Sequence, residues 1–351
     1  MVWVWLVFVF VLGAGVGSFL NLLVSRLPLE RSAIWPLTSR CLNCYQPIRW
    51  YDNLPLISYI SLRGRCRKCS ASFSPRYFFV ELMTAAGFVL IFYIDIILNQ
   101  FNVPFIRERS RWIIQFGAVP WQAWVFFLFH ATLFGFLVVA AFCDIARREI
   151  PLSVTMTGVI VGLIAAMILP WPWPNVPLPK LTLGAQPWPL WFPLPFGLKP
   201  GTWQLGLVNS LAGALVGLIM LRLVRFVFSS GLGVEALGLG DADLMMMAGS
   251  FLGWQIVVMS FFVGAVAALL LALPLLIIKG NVPFAFGPGL ALGVIATVVA
   301  WPILGPRLEF FLLDGWLIGP MAGIMIVGMF IGARVLRRPP MLPEQPVAPN
   351  P

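Results

Sequence analysis

Long apolar runs alternate with short polar or proline-rich breaks between residues 3 and 335, and most are too long and too uniform for the core of a water-soluble protein. The first run covers 3–23. A polar stretch follows to about residue 77, then a second run near 78–98. A third covers about 123–143, a fourth 152–169 and, after a break rich in Trp and Pro, a fifth 204–224. The stretch 244–278 exceeds a single crossing, at about 1.5 Å per residue against an apolar core of about 30 Å. It reads as a short helix to Gly253, a turn at Trp254-Gln255 and a longer return. Runs near 288–304 and 316–335 complete the pattern.

Composition strengthens this reading. Of 351 residues, 60% are hydrophobic and 10% charged, and mean hydropathy is +0.94. The net charge of +10 is unevenly placed: nine of the 23 basic residues lie from Arg26 to Arg76, against the acids Glu30 and Asp52. Such a bias marks a cytoplasmic loop. It argues against nucleic-acid binding, because the charge is confined to a juxtamembrane segment. Residues 1–11 hold no basic residue and no small-residue cleavage site follows, so the first run is expected to be retained, with its N-terminus outside. On this path 24–77, 144–151, 225–243 and 279–287 face the cytoplasm. The segment 99–122, with Arg107, Arg109 and Arg111 on the predicted outer face, fits less well.

The basic loop carries Cys41-Leu-Asn-Cys44 and Cys66-Arg-Lys-Cys69, two C-x2-C pairs separated by 21 residues. Each pair sets two thiolates on one tight knuckle, and two knuckles make a tetrahedral sulfur site suited to structural zinc, with no position open to water. Disulfides are the alternative, disfavoured by a cytoplasmic location. A thioredoxin-like redox role would need a βαβ pattern that does not surround these pairs. Cys143 has no such partner and reads as a small buried apolar residue.

Few acidic residues remain near the inner ends of the apolar runs. Glu81, Asp144, Asp241 and Asp243 do so once those in loops, the tail and outer segments, Asp95 among them, are set apart. An ionisable residue in such a position is expensive and reads as functional. Asp241 and Asp243 are two apart, so on a helix they point about 200° from one another and only one readily faces Asp144. Two carboxylates brought together by a bundle would share one proton, as in an aspartyl protease dyad. Gly238 and Gly240 flank this region and permit close backbone approach. Arg147 and Arg148 can screen Glu149. His130, alone on an apolar run, reads as a packed histidine.

With these pieces placed, the chain resembles the type IV prepilin peptidases. The blocks that carry the resemblance are Gly17-Ser18-Phe19-Leu20-Asn21 with Arg26-Leu27-Pro28, the two cysteine pairs with Ile48–Pro55 between them, and Ser74-Pro75-Arg76-Tyr77 with Glu81. Asp144 ahead of Ile150-Pro151, Gly238-Leu-Gly-Asp241, and 283–288 follow in order. The last block departs from the family's Pro-Phe-Gly-Pro by two extra residues, and Asp243 stands where the family usually has lysine. That exchange should require another local cation or alter how the pair titrates. The resemblance implies a bifunctional enzyme with Asp144 and Asp241 as the catalytic pair. It would cleave prepilin or pseudopilin precursors after a glycine and methylate the new N-terminus, with S-adenosylmethionine as donor. Asn21, Arg26 and Glu81 are candidates for the methyl-transfer site. The implied setting is the bacterial cytoplasmic (inner) membrane, with zinc loop and aspartates on the cytoplasmic side.

The expected fold is therefore an all-α polytopic membrane protein of about eight or nine transmembrane helices with a small cytoplasmic zinc-binding loop domain. Residues 1–23 form the first span and 24–77 the zinc loop. Residues 78–335 form the peptidase core with an outer insertion at about 170–203, and 336–351 a Pro-rich tail. Rival readings are a secondary transporter, which would need its carboxylates near the bilayer midplane, and a non-catalytic assembly scaffold.

Overall fold

The computed structural model describes residues 2–29, 40–41, 43–101, 103–169, 198, 202–233, 238–279, 285–313 and 315–336. The expectations for the insertion at 170–203 and the tail fall almost wholly outside these residues, as do Pro283 and Phe284 of the last motif block. Among the described residues the fold is helical, with two isolated antiparallel bridges and no longer strands.

Helix α1 (Val2–Arg26) continues into a 3-10 turn, Leu27–Leu29. The intervening loop holds the short α2 (Ile57–Ser61). Then come α3 (Arg76–Phe92), which passes into a π turn at Tyr93–Ile97, and the small helices α4 (Pro104–Glu108) and α5 (Ser110–Phe116). The remainder is α6 (Trp121–Arg147), α7 (Leu152–Ile168), α8 (Trp203–Leu232), α9 (Leu239–Leu252), α10 (Trp254–Lys279), α11 (Gly287–Leu313) and α12 (Gly315–Leu336). Six of these are long and apolar enough to cross a membrane, with α7 a shorter apolar companion. The chain is a multi-pass membrane protein.

The expected break inside 244–278 falls at Gly253, between α9 and α10, where φ is +83°. Helix α9, at 14 residues, is about 21 Å long and too short to span alone. The fifth run extends beyond its expected end at 224 to Leu232. The helix continues through Arg225, because a long basic side chain can reach out to water from a helix that itself goes on.

Helix α6 is the hub. It packs against α1 and α3 on one side and against α7, α9 and α11 on the other. The main apolar cluster joins Leu137 and Ala140 of α6 to Leu221 of α8, Leu244 and Phe251 of α9 and Leu290 of α11. A second, aromatic cluster joins α1, α3 and α6 through Val9, Phe88, Phe92 and Phe127. Since lipid is as apolar as leucine, burial alone does not hold such helices together; close backbone approach does. Helices α8 and α9 meet where a Cβ built on Gly213 would collide with the Gly249 carbonyl, and the reverse.

Candidate active site and metal centre

Helix α6 ends one turn after Asp144. Arg148 adopts a left-handed conformation, φ +58°, and returns its N–H to the Asp144 carbonyl at 2.7 Å. This reversal feeds Ile150-Pro151 into α7. On the Asp144 side chain, Oδ2 accepts the N–H of Gly287, the first residue of α11, at 2.8 Å. Asp241 is the third residue of α9, and its Oδ2 accepts the N–H of Gly238 at 3.2 Å. Each carboxylate thus lies at a helix N-terminus, where backbone amides and the helix dipole favour negative charge.

Asp144 and Asp241 are each 7% exposed, and both line one cavity of about 690 Å³ whose rim includes Pro28, Arg148, Glu149 and Pro151. They are near enough for the charge of one to act on the other. The close approach suggested by the flanking glycines occurs at Gly240, where a Cβ would lie 3.0 Å from Ile150 Cβ. Gly238 has more room and contributes its amide. Asp243 faces away from the cavity toward α8, with Oδ1 4.0 Å from Arg222. The local cation that this acid calls for is therefore present. Glu149, read from the sequence as a screened charge, lines the cavity.

The four cysteines converge: Cys41, Cys44, Cys66 and Cys69 have all Sγ atoms within 4.8 Å of one another. The Cys41–Cys69 separation is 3.7 Å, close to the ~3.8 Å edge of a tetrahedron with Zn–S bonds of about 2.3 Å. All five cysteines are free thiols, so the disulfide alternative does not apply. The two knuckles are alike in detail. Tyr45 and Ser70 both take positive φ and donate to the carbonyls of Cys41 and Cys66, while Cys41 and Cys66 donate to Gln46 and Ala71. Amides also point at sulfur. The Ala71 N–H pulls the Cys69 thiol down to about 6, and the N–H groups of Cys69 and Lys68 lower Cys66. Cys44 goes the other way: despite the Gln46 amide, burial and the neighbouring sulfurs raise its thiol to about 11. This soft four-sulfur set could hold a zinc ion. This repeat escaped the sequence reading because only the cysteines and their preceding arginines are shared.

The other predicted residues are placed around the ends of α1 and α3. Asn21 Nδ2 donates to the Tyr77 carbonyl at 2.8 Å, and Glu81 Oε2 accepts the Leu56 N–H at 2.8 Å. The first contact ties α1 to the start of α3, and the second fastens the cysteine-bearing segment to α3. Arg26 lies five residues beyond Asn21 at the end of α1. A polar pair unforeseen in the sequence lies far from this site: His130 Nδ1 is 2.8 Å from Asp95 Oδ2, both buried, with Asp95 inside the π turn.

Comparison with known proteins bears on most of the chain. A profile for the bacterial peptidase A24 N-terminal domain matches residues 11–94, and one for the type IV leader peptidase family matches 131–273. The prepilin leader peptidase/N-methyltransferase of Myxococcus xanthus is 31% identical over 76% of this chain and 63% of its own length. The protein of that name from Pectobacterium carotovorum is 30% identical over 81% of this chain and 88% of its own. For the one from Neisseria gonorrhoeae the figures are 28%, 84% and 87%. No solved structure matches. From its cysteine-bearing N-terminal part to the helices that carry Asp144 and Asp241, this chain belongs to the type IV leader peptidase family.

Proposed function

We propose that this enzyme hydrolyses one peptide bond near the N-terminus of prepilin-like precursors, at the cytoplasmic face of the bacterial inner membrane, using Asp144 and Asp241 as an aspartyl dyad. The observation that carries the reading is the shared cavity, which brings both buried carboxylates to helix ends. The ionised member takes a proton from water, and the hydroxide oxygen bonds to the scissile carbonyl carbon. The protonated member donates to the carbonyl oxygen. Collapse of the tetrahedral species breaks the C–N bond as a proton passes to the leaving amine. Because the two carboxyls share a proton, they act as one titrating unit. Their place at helix ends favours a precursor whose own apolar helix stays inserted in lipid, and it disfavours a midplane transport site.

The cytoplasmic assignment follows from the basic excess of residues 26–76, at the end of α1 and the beginning of α3. The relatives' names suggest a second activity, methylation of the new α-amino group, in which S-adenosylmethionine would supply the methyl. Asn21, Arg26 and Glu81 stay candidates for that step; two of them are already engaged with backbone, so the proposal rests on the relatives' names. Product mass tests both activities: purified protein should remove a leader-sized fragment and, with S-adenosylmethionine, add a methyl. Asp144→Asn and Asp241→Asn should each abolish the mass loss. Cleavage that survives in both folded variants rejects the dyad.

A further inference from the structure

The segment between α1 and α3 has a surface that neither the cysteines nor the dyad uses. Its helix α2 is pinned alongside α3 and not above its end. Leu56, immediately before α2, gives its N–H to Glu81, which lies five residues into α3, about 7.5 Å along the axis. Tyr59 of α2 stacks on Phe78, with ring centroids 5.6 Å apart. Leu56 itself has φ +62° and ψ −50°, with the Ile57 N–H closing on the Pro55 carbonyl at 2.6 Å. A leucine adopts so tight a reversal only when its surroundings hold it there. Helix α2 is thereby fixed at the depth of the first turns of a membrane-spanning helix.

One face of α2 is satisfied by protein, through buried Ser58 and stacked Tyr59. The other carries Ile57 and Ile60, one turn apart, 64% and 65% exposed. At that depth α3 presents Phe79, 58% exposed, on its own outer surface. Exposed Arg63 and Arg65 follow α2 directly, and from Arg40 to Phe73 the chain has six basic residues against Asp52, which is paired with Arg67. Aliphatic side chains on one helical face, bordered by cations, suit the boundary between headgroups and acyl chains.

We infer that α2 is a membrane-docking element: Ile57 and Ile60 enter the lipid boundary while Arg63 and Arg65 meet anionic phospholipid headgroups. The zinc-bearing loop is then held flat against the bilayer at a second point besides its covalent ends. This goes beyond the proposed peptidase and does not depend on it.

The test uses the full-length, zinc-loaded protein in nanodiscs of phosphatidylcholine with phosphatidylglycerol. Nitroxide labels are placed at Ile60→Cys, with Ile57→Cys as a second reporter; Phe79→Cys is the lipid reference and Glu108→Cys the aqueous one, and the signal of the unsubstituted protein, labelled in parallel, is subtracted to remove any contribution of the native thiols. Bound zinc at one per chain verifies each variant's fold. At Ile60→Cys, accessibility to oxygen relative to a nickel chelate should match the Phe79→Cys value and exceed the Glu108→Cys value several-fold. Replacing Arg63 and Arg65 by Glu should lower that ratio in the anionic discs. A water-like ratio at both reporters overturns the inference, as does exclusion of both reagents, which would mean a covering protein surface. An equal ratio in wholly zwitterionic discs overturns the anionic-headgroup assignment.

Discussion

Each aspartate of the pair takes an amide from a glycine, yet the two glycines differ in the room around them. A Cβ at Gly287 would lie 2.7 Å from Asp144 Oδ2, whereas one at Gly238 would lie 3.4 Å from Asp241 Oδ2, an ordinary contact. Gly287→Ala should therefore displace Asp144 and cost about 1–3 kcal/mol of transition-state stabilisation, roughly 5- to 150-fold in kcat with KM little changed. Gly238→Ala should stay within a few-fold of the parent in the same cleavage assay. His130 and Asp95 make a separate prediction. Removing the imidazole in His130→Leu leaves a buried carboxyl without its partner and should cost about 1–3 kcal/mol. The double variant with Asp95→Leu should recover part of that loss in thermal unfolding. The sequence offered His130 as an isolated residue because its partner is 35 positions away, and the π turn that aims Asp95 inward leaves no mark in the apolar pattern.

At the scale of elements, apolar periods located the spans well, and small residues decided how they meet. Helices α3, α6 and α7 lie within a few residues of the runs read from sequence, because a bilayer-sized apolar segment has few alternatives to a helix. The contact between α8 and α9 was not legible, since a glycine marks possible closeness without naming its neighbour. Gly249→Val should force these helices apart. Because α9 carries Asp241, cleavage and melting temperature should fall together, in contrast to Gly287→Ala. The C-x2-C spacing did disclose the four-cysteine cluster, as two knuckles of that length have little freedom in how they present sulfur. Stripping zinc with a chelator should expose residues 40–73 to limited proteolysis while the helical core stays resistant. Equal protease resistance with and without chelator would deny the metal a structural role.

For the molecule as a whole, α3 and α6 set the topology. Each is a single apolar helix long enough to cross, so residue 108, between them, and residue 149, after α6, lie on opposite sides of the bilayer. With the basic loop inside, a membrane-impermeant thiol reagent on intact cells should label Glu108→Cys and not Glu149→Cys; the reverse pattern would invert the proposed orientation. The order of spans was legible from hydropathy, but the role of α6 as hub was not, because its neighbours come from both ends of the chain. The proposed dyad depends on that arrangement. Asp144 and its amide donor belong to α6 and α11, whereas Asp241 belongs to α9, locked to α8 by the Gly213–Gly249 approach.

The cavity is consequently a joint between two sets of helices, and whatever bridges the two carboxylates also ties those sets together. Ligand binding and global stability are then linked by mass action. A peptide isostere with a tetrahedral hydroxyl, which can hydrogen-bond both aspartates at once, should raise the melting temperature of the whole bundle. The same compound should lose most of that effect when only Asp241 is replaced by Asn, although every helix remains in place. Such an inhibitor would act as a removable cross-link, and its affinity could be read from heat denaturation without any substrate.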